Sequence, residues 1–122
     1  MSAVSFTVDG PPIPKARARS ARNGRLHYTP SRTREYEATV GVAFIREAFS
    51  AGWSRSKRYA VTVEAFFADK RSRDLDNVAK SILDGLNGHA YKDDSQVDRL
   101  YVFRRLDRAR PRVEVLVEVL GD

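Results

Sequence analysis

The chain has 122 residues, of which 22 are lysine or arginine and 16 are aspartate or glutamate, so its formal net charge is +6, and it contains no cysteine. This length predicts a single domain, residues 1–122, and the lack of cysteine excludes disulfides and cysteine-ligated metal centres. No signal-peptide pattern opens the chain and no apolar run approaches the roughly 18 residues of a membrane span. We therefore expect no membrane partner and a soluble protein in the cytoplasm, or in the host cytoplasm if a virus encodes it.

The first predicted element is a short strand. Val4, Phe6 and Val8 alternate with polar residues, which is typical of a strand with one buried face. Gly10-Pro11-Pro12 ends it. From Ile13 to Thr29 the apolar periodicity is lost, and this segment is predicted to be a long loop or a loose hairpin around its Asn-Gly pair.

This segment is also strongly basic, because no acidic residue occurs between Asp9 and Glu35. Its cations at the start of this run are Lys15, Arg17, Arg19, Arg22 and Arg25. Arginine binds phosphate oxygens in a bidentate way, and the net positive charge favours a polyanionic partner. The segment is therefore either a nucleic-acid-binding surface or a solvated loop.

A long helix is predicted next. Thr29 suits the N-cap and Pro30 the first helical position, and the helix should run to about Ser50, before Gly52. Two apolar stripes lie on roughly opposite sides of it: Tyr36, Val40, Ala43 and Phe44 form the first, and Val42, Ile45 and Phe49 form the second. The second stripe is either a surface for a partner or is covered by the loop around Trp53.

The second half of the chain predicts three strands and one helix. These are a strand over Tyr59–Ala68, a helix from about Asn77 to Leu86, and strands over about Val97–Leu106 and Arg112–Leu120. The order is then strand, helix, strand, helix, strand, strand. We expect a small α/β (α+β) domain in which helices pack on one mixed β-sheet.

Carboxylates are concentrated where the second strand passes into the second helix. Asp74 and Asp76 are one residue apart, so on extended backbone they point to the same side. A like-charge pair about 4 Å apart costs on the order of 4 kcal/mol at an effective dielectric of about 20. Proton sharing, a basic neighbour or a hard cation such as Mg²⁺ could offset that repulsion. A simpler alternative is that either aspartate caps the helix and that Lys80 makes ordinary i, i+4 ion pairs.

The acidic run resembles a known family. Residues 73–80 read Arg-Asp-Leu-Asp-Asn-Val-Ala-Lys, Asp84 follows, and residues 91–97 read Tyr-Lys-Asp-Asp-Ser-Gln-Val. This ordered set resembles the RusA family of Holliday-junction resolvases, and the resemblance covers nearly the whole chain, including a Pro-Pro, basic, glycine-containing segment near the N-terminus.

The resemblance implies specific roles for these residues. Asp74, Asp76 and Asp94 would bind the metal, and Lys80 would be needed for cleavage. Asp93 and Asp94 are equally suitable ligands by residue type, and only the family match favours Asp94. Asp84 lies two helical turns beyond Asp76, so we expect it to orient Lys80 rather than to bind metal.

The function implied is Mg²⁺-dependent hydrolysis of four-way DNA junctions by a homodimer, with Mn²⁺ as a substitute and no small-molecule cofactor. Arg73 and the basic segment would bind phosphates of the branched DNA. Two alternatives stay open from the residues alone. One is a basic nucleic-acid-binding module without catalysis, and the other is a metal-dependent nuclease acting on flaps, forks or other branched DNA.

Overall fold

The computed structural model describes residues 2–15, 30–71 and 74–122. The elements, in chain order, are β1 (Ala3–Asp9), α1 (Pro30–Ala48), β2 (Arg58–Phe67), α2 (Leu75–Leu86), a 3-10 helix (Asp94–Gln96), β3 (Val97–Leu106) and β4 (Arg112–Gly121). The predicted order of strands and helices is confirmed. The predicted Asn-Gly hairpin, the Thr29 N-cap and the side chains of Arg17, Arg19, Arg22, Arg25 and Arg73 lie outside the described residues. None of the described helices is long and apolar enough to cross a lipid bilayer.

The four strands form one mixed sheet in the order β1-β4-β2-β3. Strand β4 is antiparallel to both β1 and β2, whereas β2 and β3 are parallel. Parallel neighbours need a crossover connection, and α2 supplies it. Helix α2 therefore starts at the end of the sheet where β2 finishes and leads back to the end where β3 begins.

The core lies between one face of the sheet and the two helices. Alternate residues of β1, β2 and β4 are buried there, as the period-two pattern predicts, and they meet the first apolar stripe of α1 and the apolar stripe of α2. The buried strand residues include Val4, Phe6, Val8, Val61, Val63, Val113, Val115 and Val117. These contacts fix α2, and with it the acidic motif, against the sheet.

Two glycines allow α1 and α2 to approach each other closely. A Cβ atom built on Gly85 would lie 2.7 Å from the Cβ of Val40, and one built on Gly41 would lie 2.8 Å from Cδ2 of His89. A real Cβ atom is essentially never found this close to another atom, so glycine is required at position 85, and a larger residue at position 41 would have to displace the His89 ring. His89 thus packs against α1.

The second stripe of α1 stays exposed. Val42 is 51% exposed, Ile45 is 43% exposed and Phe49 is 87% exposed. The alternative in which the loop around Trp53 covers this stripe is wrong, because the Trp53 ring points into the core, stacks on Tyr59 at 5.7 Å between centroids and donates from Nε1 to the Ala90 carbonyl at 2.7 Å. An exposed apolar stripe of this kind is available to a partner.

Candidate active site

Strand β3 holds the segment that leads into the acidic motif. The Arg104 side chain donates to the carbonyl of Arg71, and its guanidinium lies 4.9 Å from the centre of the Phe67 ring. Asp69 accepts a hydrogen bond from the backbone N–H of Arg71 at 2.9 Å, so its carboxylate shapes this turn. These contacts hold the chain in place as it leaves the end of β2, up to Arg71.

Asp74 and Asp76 lie at the N-terminus of α2. Asp74 occupies the N-cap position with extended backbone, but its side chain makes no capping hydrogen bond to the helix backbone. Instead, its Oδ2 atom accepts from Nδ2 of Asn77 at 2.9 Å. Asp76 is exposed in the first turn and makes no hydrogen bond or ion pair that involves the described residues. The positive end of the helix dipole stabilises both carboxylates, and neither acts as the cap that the simpler alternative required.

Lys80 lies one helical turn beyond Asp76. Its side chain is 58% exposed, and its Nζ atom is 3.9 Å from Oδ1 of Asp84. That distance exceeds a hydrogen bond, so Asp84 attracts the ammonium group without binding it closely. Lys80 therefore presents an accessible positive charge beside the two aspartates.

The adjacent residues Asp93 and Asp94 have different surroundings. Asp93 caps the 3-10 helix by accepting from the backbone N–H of Ser95 at 3.0 Å, and Gln96 completes the capping box. The hydrogen bonds from Ser95 hold the pKa of Asp93 below its ordinary value. Burial, together with the nearby carboxylates of Asp94, Asp84 and Asp93, raises the pKa of the Tyr91 hydroxyl well above its usual value. The Tyr91 hydroxyl donates to the Leu83 carbonyl at 2.8 Å, so the segment that leads to Asp94 lies at the C-terminal half of α2.

Within one chain, Asp94 is far from Asp74 and Asp76. It directly precedes β3, whose first residue pairs with Tyr59 at the start of β2, whereas Asp74 follows the other end of β2. Helix α2, with 12 residues, spans about 18 Å at about 1.5 Å per residue. Among residues 2–15, 30–71 and 74–122, no three histidine or acidic side chains converge closely enough to hold a metal ion. The structure brings Asp74 and Asp76 to one end of α2 and Asp94 to the other.

Lys15 joins the two helices near this site. Its Nζ atom is 2.6 Å from Oε2 of Glu37 on α1 and 3.0 Å from Oδ2 of Asp84 on α2. Burial opposes the charged form of Lys15, but the hydrogen bonds and charges of the two carboxylates outweigh it and raise the pKa of this lysine. The pairs are separated by 22 and 69 positions in the chain, and nothing in the sequence pattern predicts them. The nearer partner of Asp84 is therefore Lys15, not Lys80.

Comparison with known proteins identifies the family. The family described as Endodeoxyribonuclease RusA matches residues 9–118, which is nearly the whole chain. The chain belongs to the RusA family. It is also 32% identical, over 138 aligned residues, to a protein of Bacillus subtilis (strain 168) described as uncharacterized protein YqaN, with 96% of each chain covered.

RusA membership confirms the resemblance that the acidic motif indicated. The chain is an endodeoxyribonuclease of the Holliday-junction resolvase type, and it binds branched DNA. RusA nucleases generally depend on a divalent metal. The exposed carboxylate pair of Asp74 and Asp76 offers hard oxygen donors, which fit a Mg²⁺ ion that keeps several of its waters.

Proposed function

We propose that this RusA-family chain is a Mg²⁺-dependent endonuclease that acts as a homodimer and hydrolyses phosphodiester bonds in four-way DNA junctions. The observation that carries this proposal is the pair of accessible carboxylates at the N-terminus of α2, with the accessible Lys80 one turn away. A stabilising cap would have engaged Asp74 or Asp76 with the helix backbone, and neither is so engaged.

Asp74 and Asp76 would hold the metal ion, with Mn²⁺ able to replace Mg²⁺. A bound Mg²⁺ would polarise the scissile phosphate and lower the pKa of a coordinated water to supply a nucleophile. Asn77 orients the Asp74 carboxylate by donating to its Oδ2 atom at 2.9 Å. Asp76 projects from the same helical turn without an internal partner among the described residues.

Lys80 would stabilise negative charge in the transition state. Its ammonium group is one helical turn from Asp76 and is more than half exposed, so it can contact a phosphate bound at the aspartates. A fixed cation acts where charge develops on the phosphate oxygens or on the leaving oxygen. No histidine or serine nucleophile is required for this reaction.

Asp94 is the third carboxylate of the proposed site, and in the proposed dimer it comes from the other copy of the chain. Asp93 is engaged as a cap, so Asp94 is the member of the pair that is available to a ligand. Since α2 separates Asp94 from Asp74 and Asp76 within one chain, we place Asp94 of one copy beside the aspartate pair of the second copy. A two-fold dimer would then contain two equivalent sites, which suits paired symmetric nicks in a junction with approximate two-fold symmetry.

The basic segment would bind the DNA backbone around these sites. Its arginines at 17, 19, 22 and 25, together with Arg73 directly before the acidic motif, are proposed phosphate contacts. Phosphate contacts position a protein on nucleic acid but do not select a base sequence. Selection of a four-way junction would therefore come from its shape.

The proposal is tested by comparing a four-way junction with linear duplex and with flap and fork substrates of matched sequence, with Mg²⁺ or with chelator. We expect cleavage of the junction only, and only with Mg²⁺. A protein that shifts the junction in a gel but never cuts it would be a binding module. Equal cutting of flaps, forks and junctions would show that the protein is a nuclease but would contradict the four-way junction as its specific substrate.

A further inference from the structure

Four charged side chains of alternating sign form a row from α1 to the middle of α2. Glu37, Lys15, Asp84 and Lys80 follow one another, with separations of 2.6, 3.0 and 3.9 Å between their charged atoms. The side chains of Glu37 and Asp84 are each only 19% exposed, so water screens these interactions less than it screens ordinary surface pairs. The last separation is longer than the other two. Asp84 is therefore shared unequally between its two lysines.

The backbone next to Lys15 is fixed independently of its charge. The Lys15 N–H donates to the Asn77 carbonyl at 2.8 Å, and the buried hydroxyl of Ser81 donates to the Ile13 carbonyl at 2.7 Å. Ile13 is itself buried in the core. The short segment that carries Lys15 thus lies along α2 between Asn77 and Ser81, and the Lys15 ammonium group is held where it meets Asp84.

This arrangement has a consequence for Lys80. Lys15 binds Oδ2 of Asp84 at hydrogen-bond distance, while Lys80 stays 3.9 Å from Oδ1 and remains accessible. Without Lys15, the partly buried Asp84 would keep Lys80 as its nearest cation, and an i, i+4 pair on a helix can close to direct contact. A lysine bound closely to Asp84 would be drawn along the helix away from Asp76.

We infer that Lys15 is a positioning residue that occupies Asp84 and thereby leaves the Lys80 ammonium group available to the scissile phosphate. In this account Lys15 acts inside the protein and is not one of the phosphate contacts of the basic segment. Its effect on cleavage rests on the proposed function, whereas its effect on the state of Lys80 can be measured without DNA.

The test uses Lys15→Met alone and combined with Asp84→Asn. Single-turnover cleavage of prebound junction should be about fivefold slower in Lys15→Met, the size expected of one partly screened ion pair. Adding Asp84→Asn removes the competing carboxylate and should restore the rate. The dependence of junction affinity on salt should be the same in Lys15→Met as in the parent, since a lost phosphate contact would make that slope shallower by about 0.9.

Glu37→Gln is the matched control, because it removes the other partner of Lys15 but leaves the Lys15–Asp84 pair. It should keep the parental rate, and thermal melts should show all variants folded. The positioning role would be overturned if Asp84→Asn failed to restore the cleavage rate of Lys15→Met. It would also be overturned if Lys15→Met changed the dependence of junction affinity on salt.

Chemical labelling of Lys80 tests the positioning role of Lys15 without measuring cleavage. The Lys80 amine should be acetylated more slowly in Lys15→Met than in the parent and should recover in the double variant, with the exposed Lys70 as internal reference. Unchanged Lys80 labelling across the variants would overturn the inference even in an active enzyme. A parent that labels as expected but never cuts a junction would contradict the proposed function and leave the lysine arrangement established.

Discussion

Asp93 and Asp94 show how two identical neighbouring residues are given different tasks by their surroundings. The Asp93 carboxylate receives the Ser95 N–H and closes a capping box with Gln96, so it stabilises the turn before β3. Asp94 begins the 3-10 helix, and its side chain takes no part in the capping box. Apart from the family match, the sequence left these two residues equivalent as ligands, because their different hydrogen bonds form only in the folded turn.

Separate substitutions should therefore have opposite effects. Asp93→Ala removes the cap and should lower the melting temperature while junction cleavage per folded molecule is retained. Asp94→Ala should keep the melting temperature and abolish cleavage. Thermal denaturation and single-turnover cleavage of both variants check this, and an active Asp94→Ala protein would remove Asp94 from the site.

Asp76→Asn tests the other end of α2. The amide keeps the size of the side chain but removes a charge, so repulsion from Asp74 and from DNA phosphates falls. Loss even of supporting residues at metal sites costs about 10- to 100-fold in activity, so loss of a ligand should cost at least about 100-fold. Junction affinity should be equal or higher. Parental cleavage by Asp76→Asn would refute the site.

At the level of elements, the buried face of α2 could be predicted from its periodic pattern, but its contacts with distant segments could not. The stripe of Val78, Ile82 and Leu86 recurs at helical spacing, and all three residues are buried as predicted. The helix begins at Leu75, two residues earlier than the predicted Asn77, and Asp74 occupies the N-cap position without a capping hydrogen bond from its side chain. The pairing of Asp84 with Lys15 could not be predicted, since it depends on how the chain after β1 crosses α2.

The basic segment is a second element whose role can be measured. Changing Arg17, Arg19, Arg22 and Arg25 together to glutamine should weaken junction binding. It should also make the slope of log affinity against log salt shallower by about 0.9 for each lost phosphate contact. Arg58→Gln with Arg110→Gln is a suitable control, because both arginines already pair with acidic residues of the protein. The segment would be a solvated loop if its variant had the parental slope.

At the level of the whole molecule, one chain leaves two features incomplete. The second stripe of α1 exposes Val42, Ile45 and Phe49 to solvent, and α2 keeps Asp94 apart from Asp74. A self-complementary dimer can bury the α1 stripe and bring Asp94 of one copy beside Asp74 of the other, because a two-fold axis places identical surfaces against each other. The sequence predicted the stripe from its spacing, but the separation of the carboxylates follows from the parallel pairing of β2 and β3.

The stripe is tested by Ile45→Glu. A charge at this position should be tolerated by the folded monomer, since Ile45 is 43% exposed, but should shift sedimentation at micromolar concentration from dimer to monomer. Glu47→Lys, at another exposed position of α1, should leave the dimer intact. A dimer that survives Ile45→Glu would place the interface elsewhere, and a parent that sediments as a monomer would contradict paired nicking.

Mixing two inactive variants tests the central claim most directly. Asp76→Asn and Asp94→Ala proteins should each fail to cut a four-way junction with Mg²⁺. After subunit exchange, a mixed dimer would contain one site with both substitutions and one intact site built from Asp74 and Asp76 of one copy and Asp94 of the other. We therefore predict that the mixture regains single-strand nicking of the junction. A mixture that forms mixed dimers but remains as inactive as its components would contradict a site shared between two copies of this chain.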